Sequence, residues 1–492
     1  MDFSPVPMRV QIERDAGTRL KIIVVGAGLG GLATAISCRL AGHEVTVLES
    51  AASMGEIGAG LQTLANSSRV LISWGMGEQL SQCATTPRLC NMIGWRGETI
   101  STWDIHKSTR EEWGSPYWDL HRVSLHQCLW DRAVELGAEV RANSRVTDVR
   151  VAADGSSATV VVRQGEQETR IFMNADLVVG ADGVRSHCRD LLVGRNDPPA
   201  KSGDMAYRVL LNTDDMLKDP ELRDFVLDPQ VNYWIGPECH VVSYVLRGGK
   251  QFNMVLLVPD DLPEDVVTQE GNVEVMQALF KDWDPRVRKI LSTCSQVKKW
   301  RLCTRTPTPS SPSWYHPSGT FVLLGDCVHA TLPYLASGAG MAIEDASVLG
   351  LCLSRISSSS TPQEKLHALR VYEMCRKPRT QRVVEKAYES QYLYHLPDGP
   401  EQRERDRKMR AFEDAYHTQG HGAVPQGLMQ GDDPFAWRSG GVGKWLFEYD
   451  CAVDVERCWA LLHAEEEAAA RTAPRSDSKK LDLVSLVATA RL

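Results

Sequence analysis

The first residues with chemistry in them are Gly26-Ala27-Gly28-Leu29-Gly30-Gly31, which fit G-x-G-x-x-G at Gly26, Gly28 and Gly31. Between a strand and a helix, each glycine has a task. Gly26 makes the tight turn, Gly28 lets the backbone approach a pyrophosphate, and Gly31 lets helix and strand pack closely, with the diphosphate on the helix N-terminus. Glu49 lies about 20 residues beyond this turn, the distance at which a carboxylate accepts hydrogen bonds from an adenosine ribose. The same arrangement serves FAD and NAD, so the motif alone leaves that choice open. The 13 cysteines contain no C-x-x-C pair and therefore no zinc-like spacing. No metal constellation and no recognisable Ser-His-Asp motif competes.

The elements that must hold the motif are legible around it. Lys21–Val25 is an apolar β-branched run, Leu29–Leu40 is helix-compatible, and residues 43–49 form a second alternating strand. This is a βαβ unit, with a right-handed crossover expected. Residues 159–163 and 170–172 read as short strands, and 177–179 as a buried strand ending in Gly180-Ala181-Asp182-Gly183. From about 195 to 310 the pattern changes to spaced strands such as 232–235, 240–247 and 253–259. A buried strand returns at 320–324, before Gly325-Asp326 and a helix from about Gly340. The expected organisation is a flexible leader over 1–19, a nucleotide-binding domain in two parts (20–194 and 313–390), a sheet-rich domain over 195–312, a helical segment over 391–470 and a tail over 471–492.

With 492 residues the chain has room for two or three domains, each with a proper core. Its 55 basic and 63 acidic residues give a net charge of −8 without a long basic run, which argues against nucleic acid as a partner. Hydrophobic content of 43% with 24% charged residues is that of a folded globular protein. The first twenty residues lack the apolar stretch of a secretory signal, and no segment has the length of a membrane span. A cytoplasmic protein is expected. The terminal Ala490-Arg491-Leu492 is similar to the small-basic-Leu peroxisomal import pattern and adds the peroxisome as an alternative.

Two further motifs carry a resemblance. Residues 176–185, D-L-V-V-G-A-D-G-V-R, and 325–345, G-D-C-V-H-A-T-L-P-Y-L-A-S-G-A-G-M-A-I-E-D, resemble the second and third fingerprints of flavoprotein aromatic hydroxylases. With the glycine motif, in the family's order over roughly residues 20 to 390, the chain is similar to class A FAD-dependent monooxygenases, nearest in pattern to fungal salicylate-hydroxylase-like enzymes. Residues 372–380 and 395–405 add looser similarity. The resemblance implies a Rossmann-like α/β FAD-binding domain with a parallel sheet, interleaved with a sheet-rich substrate domain and followed by a helical C-terminal segment. It implies noncovalent FAD, NADH or NADPH as co-substrate, and molecular oxygen. Asp326 would bind ribityl or ribose hydroxyls, while Gly338 and Ala339 would offer backbone N–H groups to the flavin N1–C2 region. Asp182 and Gly183 belong to the segment linked to the FAD pyrophosphate and to pyridine-nucleotide engagement. Arg122 matches an arginine that contacts FAD, and Ala59, in Gly58-Ala59-Gly60, the loop that approaches the isoalloxazine.

On the substrate side, the residues from His240 to Tyr244 resemble the H-x-x-x-Y strand motif of hydroxybenzoate and salicylate hydroxylases. Residues i and i+4 of a strand share a face, so both can reach one phenol. A histidine near neutral pKa would accept the phenol proton, because phenolate is the better nucleophile towards a peroxide oxygen. Arg208 resembles an arginine that fungal polyketide hydroxylases use with a tyrosine to hold a phenolate. The implied reaction is hydroxylation of a polyketide or salicylate-like phenol through a flavin C4a-hydroperoxide.

The chain departs from the family at Ala336-Ser337-Gly338, where A-Q-G is common, and at Cys327 and Val328, which replace a pair of alanines. These changes are expected to alter substrate geometry and to leave flavin binding intact. A flavin dehydrogenase or oxidase on the same scaffold, or a non-catalytic flavin-binding regulatory protein, are the alternative readings. Monomer and homodimer both stay open.

Overall fold

The computed structural model describes residues 11–52, 59–164 and 169–472. Most of the expected leader, Gly58, and the tail with Ala490-Arg491-Leu492 lie outside the described residues.

Five parallel strands form the first layer, in the order Phe321–Leu323, Leu177–Gly180, Lys21–Val25, Glu44–Leu48, Glu139–Arg141. Lys21–Val25 sits at the centre, and every residue after Lys21 is buried. A strand covered on both faces needs a continuous apolar run rather than alternation, and K-I-I-V-V supplies one. The helix Leu29–Leu40 packs against this sheet with Leu32, Ala33, Ile36 and Leu40 buried. It also packs against the helices Arg122–Glu135 and Gly338–Leu353, the latter beginning two residues before the expected start. A three-stranded antiparallel sheet (Ser144–Val151, Ala158–Gln164, Thr169–Ala175) flanks this layer.

The second layer is an eight-stranded sheet in the order Thr268–Gly271, Val297–Thr304, Ala200–Asn212, Gln251–Pro259, Cys239–Leu246, Gln230–Gly236, Leu89–Gly94, Thr99–Trp103. Its last two strands come from the segment that sequence reading assigns to the nucleotide-binding part. Leu89–Gly94 joins by parallel pairing with Gln230–Gly236, a long-range partner that no local pattern announces. The far face of this sheet, with Tyr207, Val209, Val241, Val245, Met254 and Leu256, closes on the helices Val273–Leu279 and Pro285–Ser292 as a separate core.

The C-terminal part is helical: Pro362–Tyr394, Pro400–Gln419, Gly443–Phe447 and Cys451–Thr472. A capping box between Thr361 and Glu364, with Pro362 in the first turn, fixes the start of the longest helix. Among the described residues no helix is long and apolar enough to cross a membrane.

Candidate active site

A cavity of about 520 Å³ lies between the two layers. One wall is built by the segments that leave the carboxyl ends of three adjacent parallel strands: Gly28-Leu29-Gly30, Ala181 with Gly183, and Leu324-Gly325-Asp326. This is where open α/β sheets bind ligands. The opposite wall is one face of the large sheet. Ala206 and Arg208, His240, Val242 and Tyr244, Val255 and Leu257, and Trp300 and Leu302 all line it, two residues apart along each strand. The alternation expected for His240 and Tyr244 is therefore what brings both side chains to the cavity.

The wall made by the parallel sheet fits a flavin dinucleotide. Gly26 has φ +103°, and a Cβ there would stand 2.6 Å from the Ala181 carbonyl oxygen. A Cβ on Gly31 would stand 1.9 Å from the Gly26 oxygen, whereas one on Gly28 would meet nothing within 4 Å. Gly26 and Gly31 thus shape the turn, and Gly28 faces open space where a diphosphate can approach. Glu49 backs the turn: its Oε2 accepts from the Ala27 N–H at 2.9 Å and its Oε1 from the Ala51 N–H at 2.8 Å. The helix Leu29–Leu40 has no side-chain cap at its start, so its first N–H groups remain for an anion.

The same holds at the second helix terminus. Ser337 turns its hydroxyl to the Leu335 carbonyl at 2.8 Å and does not cap Gly338–Leu353. Gly338 and Ala339 line the cavity with their N–H groups free of a side-chain partner at the cap. The departure from A-Q-G therefore leaves the backbone donors in place. Asp326 is exposed to the cavity, which is itself walled by protein on two sides. Burial holds its carboxyl above the usual range, against the pull of His329 and Arg122. Arg122 also lines the cavity, and its N–H donates to the Ala59 carbonyl at 3.0 Å.

The Gly325-Asp326 turn is clamped from behind. Asp345 Oδ2 accepts the Gly325 N–H at 2.9 Å and contacts His329 Nε2 at 2.5 Å, and Oδ1 accepts from Arg376 Nε at 2.8 Å. Burial raises the Asp345 pKa, but His329 and Arg376 outweigh it and hold the carboxyl at about 2. Asp182 departs from expectation. Its carboxylate turns away from the cavity, accepting from the Ser186 hydroxyl and from the Cys188 N–H at 3.0 Å. It fastens the start of the helix His187–Val193, and Gly183 is the residue of the pair that lines the cavity.

On the substrate wall, Arg208 places its guanidinium carbon 4.5 Å from the centre of the Trp300 ring. Among the described residues no carboxylate pairs with it. Burial, then repulsion from Arg122, lowers its pKa, and only the Tyr244 hydroxyl opposes this. Tyr244 lies in the next strand but one, its pKa pushed up by burial and by Asp119 and drawn back by Arg208. His240 is 1% exposed. Its Nδ1 lies 2.7 Å from His395 Nε2, and its Nε2 has no partner. Burial and then His395 hold the imidazole well below its ordinary pKa, which corrects the expectation of a near-neutral base. Trp300, Tyr233, Gln62, Thr331 and Pro333 also line the cavity and were not anticipated. The aromatic among them on Val297–Thr304 was findable only through strand alternation in an edge-proximal strand without a motif.

The cavity thus lies at the carboxyl edge of a parallel sheet and is closed by a mixed sheet that bears a cation, a tyrosine and a histidine. Residues 19–387 match the FAD binding domain family. The FAD-dependent monooxygenase OpS4 of Beauveria bassiana (strain ARSEF 2860) is 37% identical over 425 residues, covering 85% of this chain and 96% of that protein. The 3-hydroxybenzoate 6-hydroxylase of Klebsiella oxytoca is 35% identical over 378 residues, 76% of this chain and 89% of that one. A solved salicylate hydroxylase substrate complex shares the fold, with a TM-score of 0.68 at 20% identity over 89% of this chain and 98% of that one. The chain belongs to the class A FAD-dependent aromatic monooxygenases, and FAD is its cofactor.

Proposed function

We propose that this protein uses NADH or NADPH and molecular oxygen to hydroxylate a phenolic ring of polyketide or salicylate-like type, bound as its anion between the flavin and the large sheet. The observation that carries this reading is Arg208: a guanidinium in the cavity wall, stacked on Trp300, without a carboxylate partner among the described residues. A desolvated cation in that position calls for an anionic ligand, and a phenolate or ring carboxylate satisfies it with charge-assisted hydrogen bonds. Tyr244 and His240 stand on the same wall as Arg208, so the ring meets, on one side, groups that orient its oxygen and accept its proton.

When bound, FAD reduced by the pyridine nucleotide activates oxygen and delivers one atom to the ring. The protein's own residues do the rest. Gly28, the uncapped helix starts, Arg122 and Asp326 hold the cofactor; Arg208 and Tyr244 fix the ring; Val242, Val255, Leu257 and Leu302 line the cavity with apolar surface that keeps water out. The relatives named 3-hydroxybenzoate 6-hydroxylase and 3-amino-4-hydroxybenzoate 2-monooxygenase support a ring bearing both a hydroxyl and an acidic group. The test is NAD(P)H consumption by the purified yellow protein with and without a panel of phenolic acids, phenolic aldehydes and their O-methyl ethers. Stimulation by free phenols and not by the ethers is expected; equal rates with and without phenols would refute the reading.

A further inference from the structure

The environment of His240 poses a problem that its neighbours solve. Its Nε2 is the unpartnered atom of a residue that lines the cavity, but the ring is enclosed by Tyr233, Tyr334 and Tyr394, with centroids 6.3, 4.7 and 5.5 Å away. No carboxylate pairs with it directly among the described residues, so a proton taken up there and kept would leave an uncompensated buried cation. The other ring nitrogen has an outlet. His240 Nδ1 is 2.7 Å from His395 Nε2, across 155 residues of sequence. His395 follows the last residue of the helix Pro362–Tyr394, and its side chain is 12% exposed. Its Nδ1 lies 3.8 Å from Asp204 Oδ2. Asp204 is in turn held by the Tyr334 hydroxyl and by Gln391 Nε2 at 2.7 Å.

We infer that His240 and His395 form a two-imidazole wire that carries the phenol proton of a bound substrate out of the cavity, with Asp204 orienting the outer ring. This rests on the reading that a phenol occupies the cavity. The step balances without storing charge. The substrate O–H bond breaks as a proton joins His240 Nε2; the His240 Nδ1–H bond breaks as that proton joins His395 Nε2; the His395 Nδ1–H proton passes to water. Both rings end neutral in the opposite tautomer; they reset by the reverse transfer, in which water returns a proton to His395 Nδ1, the His395 Nε2–H proton passes to His240 Nδ1, and the His240 Nε2–H proton joins the product's phenolate oxygen before it leaves. Burial lowers the pKa of both imidazoles, with Asp204 partly opposing this at His395, a direction that favours the neutral form such a wire uses. The cavity loses its proton without opening to water. His395 acts through His240 and is a positioning and relay residue, not one that touches the substrate.

The experiment uses FAD-loaded, oxidised protein without NAD(P)H and a nitro-substituted hydroxybenzoate whose phenolate absorbs visible light. Stopped-flow mixing records how fast the phenolate appears. In His395→Ala this rate should fall by roughly 10²-fold, the scale of a lost acid–base group, with flavin content unchanged, and added imidazole should restore it to within about threefold of the wild type. His395→Gln, which keeps a hydrogen-bonding group but cannot pass a proton, should be equally slow and serves if the alanine variant does not fold. A rate within twofold of the wild type in either variant overturns the wire, as does a slow His395→Ala that imidazole does not restore. Since no reduction or oxygen is involved, the wire and the hydroxylase reading fail independently: oxygen incorporation by the wild type judges the latter.

Discussion

Gly60 sits against the ring of Tyr244 so closely that a Cβ on it would stand 2.5 Å from Tyr244 Cε2 and 2.7 Å from the hydroxyl oxygen. The Gly60 N–H also donates to Asn253 Oδ1 at 2.9 Å. Asn253 is the residue paired with Tyr244 across the neighbouring strand. The strand Gly60–Thr63 follows Ala59, so the flavin-side loop and the substrate-side tyrosine are fixed to each other. In Gly60→Ala, Tyr244 must move. The expected outcome is protein that keeps its FAD but releases more peroxide per NAD(P)H, read by comparing peroxide with hydroxylated product. Unchanged coupling would show that the contact does not set the ring position.

The glycine motif separates into shape and access. Gly31→Ala places a Cβ 1.9 Å from the Gly26 oxygen and should destabilise the fold by roughly 3 kcal/mol through overpacking. Gly28→Val points into open space. The flavin-free protein should then melt within a few degrees of the wild type, a surface change being worth about 0.5 kcal/mol, while FAD affinity drops at least tenfold. Thermal melts with and without added FAD check both. A Gly28→Val protein that retains FAD on gel filtration would remove the pyrophosphate from this turn.

Arg208→Gln should cost little stability, because no ion pair is lost. Ionised phenols should bind roughly 10- to 100-fold more weakly, hydrogen bonds to charged groups contributing about 1.5–3 kcal/mol. Titration of flavin absorbance with a phenolic acid at two pH values, one below and one above the phenol's pKa, measures this. Equal affinity in variant and wild type would return Arg208 to a packing role on Trp300.

His43 gives the fold an acid-sensitive point far from the cavity. It is fully buried; Nδ1 accepts the Leu20 N–H at 3.2 Å, and Nε2 donates to the Leu353 carbonyl at 2.9 Å. Burial pushes its pKa down to about 4 from 6.5. The unfolded chain takes up this proton below pH 6.5 and the folded one only near 4, so stability falls as the pH drops through that window, by up to about 3 kcal/mol. His43→Gln can make the same two hydrogen bonds and does not titrate. Melting temperatures from pH 7 to 4.5 should therefore fall less steeply in the variant. Parallel curves would assign the acid sensitivity elsewhere.

What the sequence revealed followed from how local each signal is. The glycine turn, Lys21–Val25 and the shared face of His240 and Tyr244 are set by neighbours within a few residues, and all are found where expected. Leu89–Gly94 joins the large sheet by pairing with residues some 140 positions away, and nothing nearby marks it. Asp182 could be recognised as part of a motif, but its orientation depends on Ser186 and Cys188, which draw the carboxylate inward. His395 meets His240 and Asp204 only through the docking of the long helix on the sheet, which no local pattern announces.

The central claim is that this site inserts an oxygen atom into a phenol. The direct measurement is mass analysis of the products formed by wild-type protein with FAD, NAD(P)H, a phenolic acid and ¹⁸O-labelled oxygen gas in unlabelled water. The account predicts product heavier by a single labelled oxygen atom, formed in step with NAD(P)H consumption. NAD(P)H consumption that yields only peroxide, or a product whose added oxygen comes from water, across the whole panel of phenols would contradict it and make this protein an oxidase or dehydrogenase on a hydroxylase scaffold.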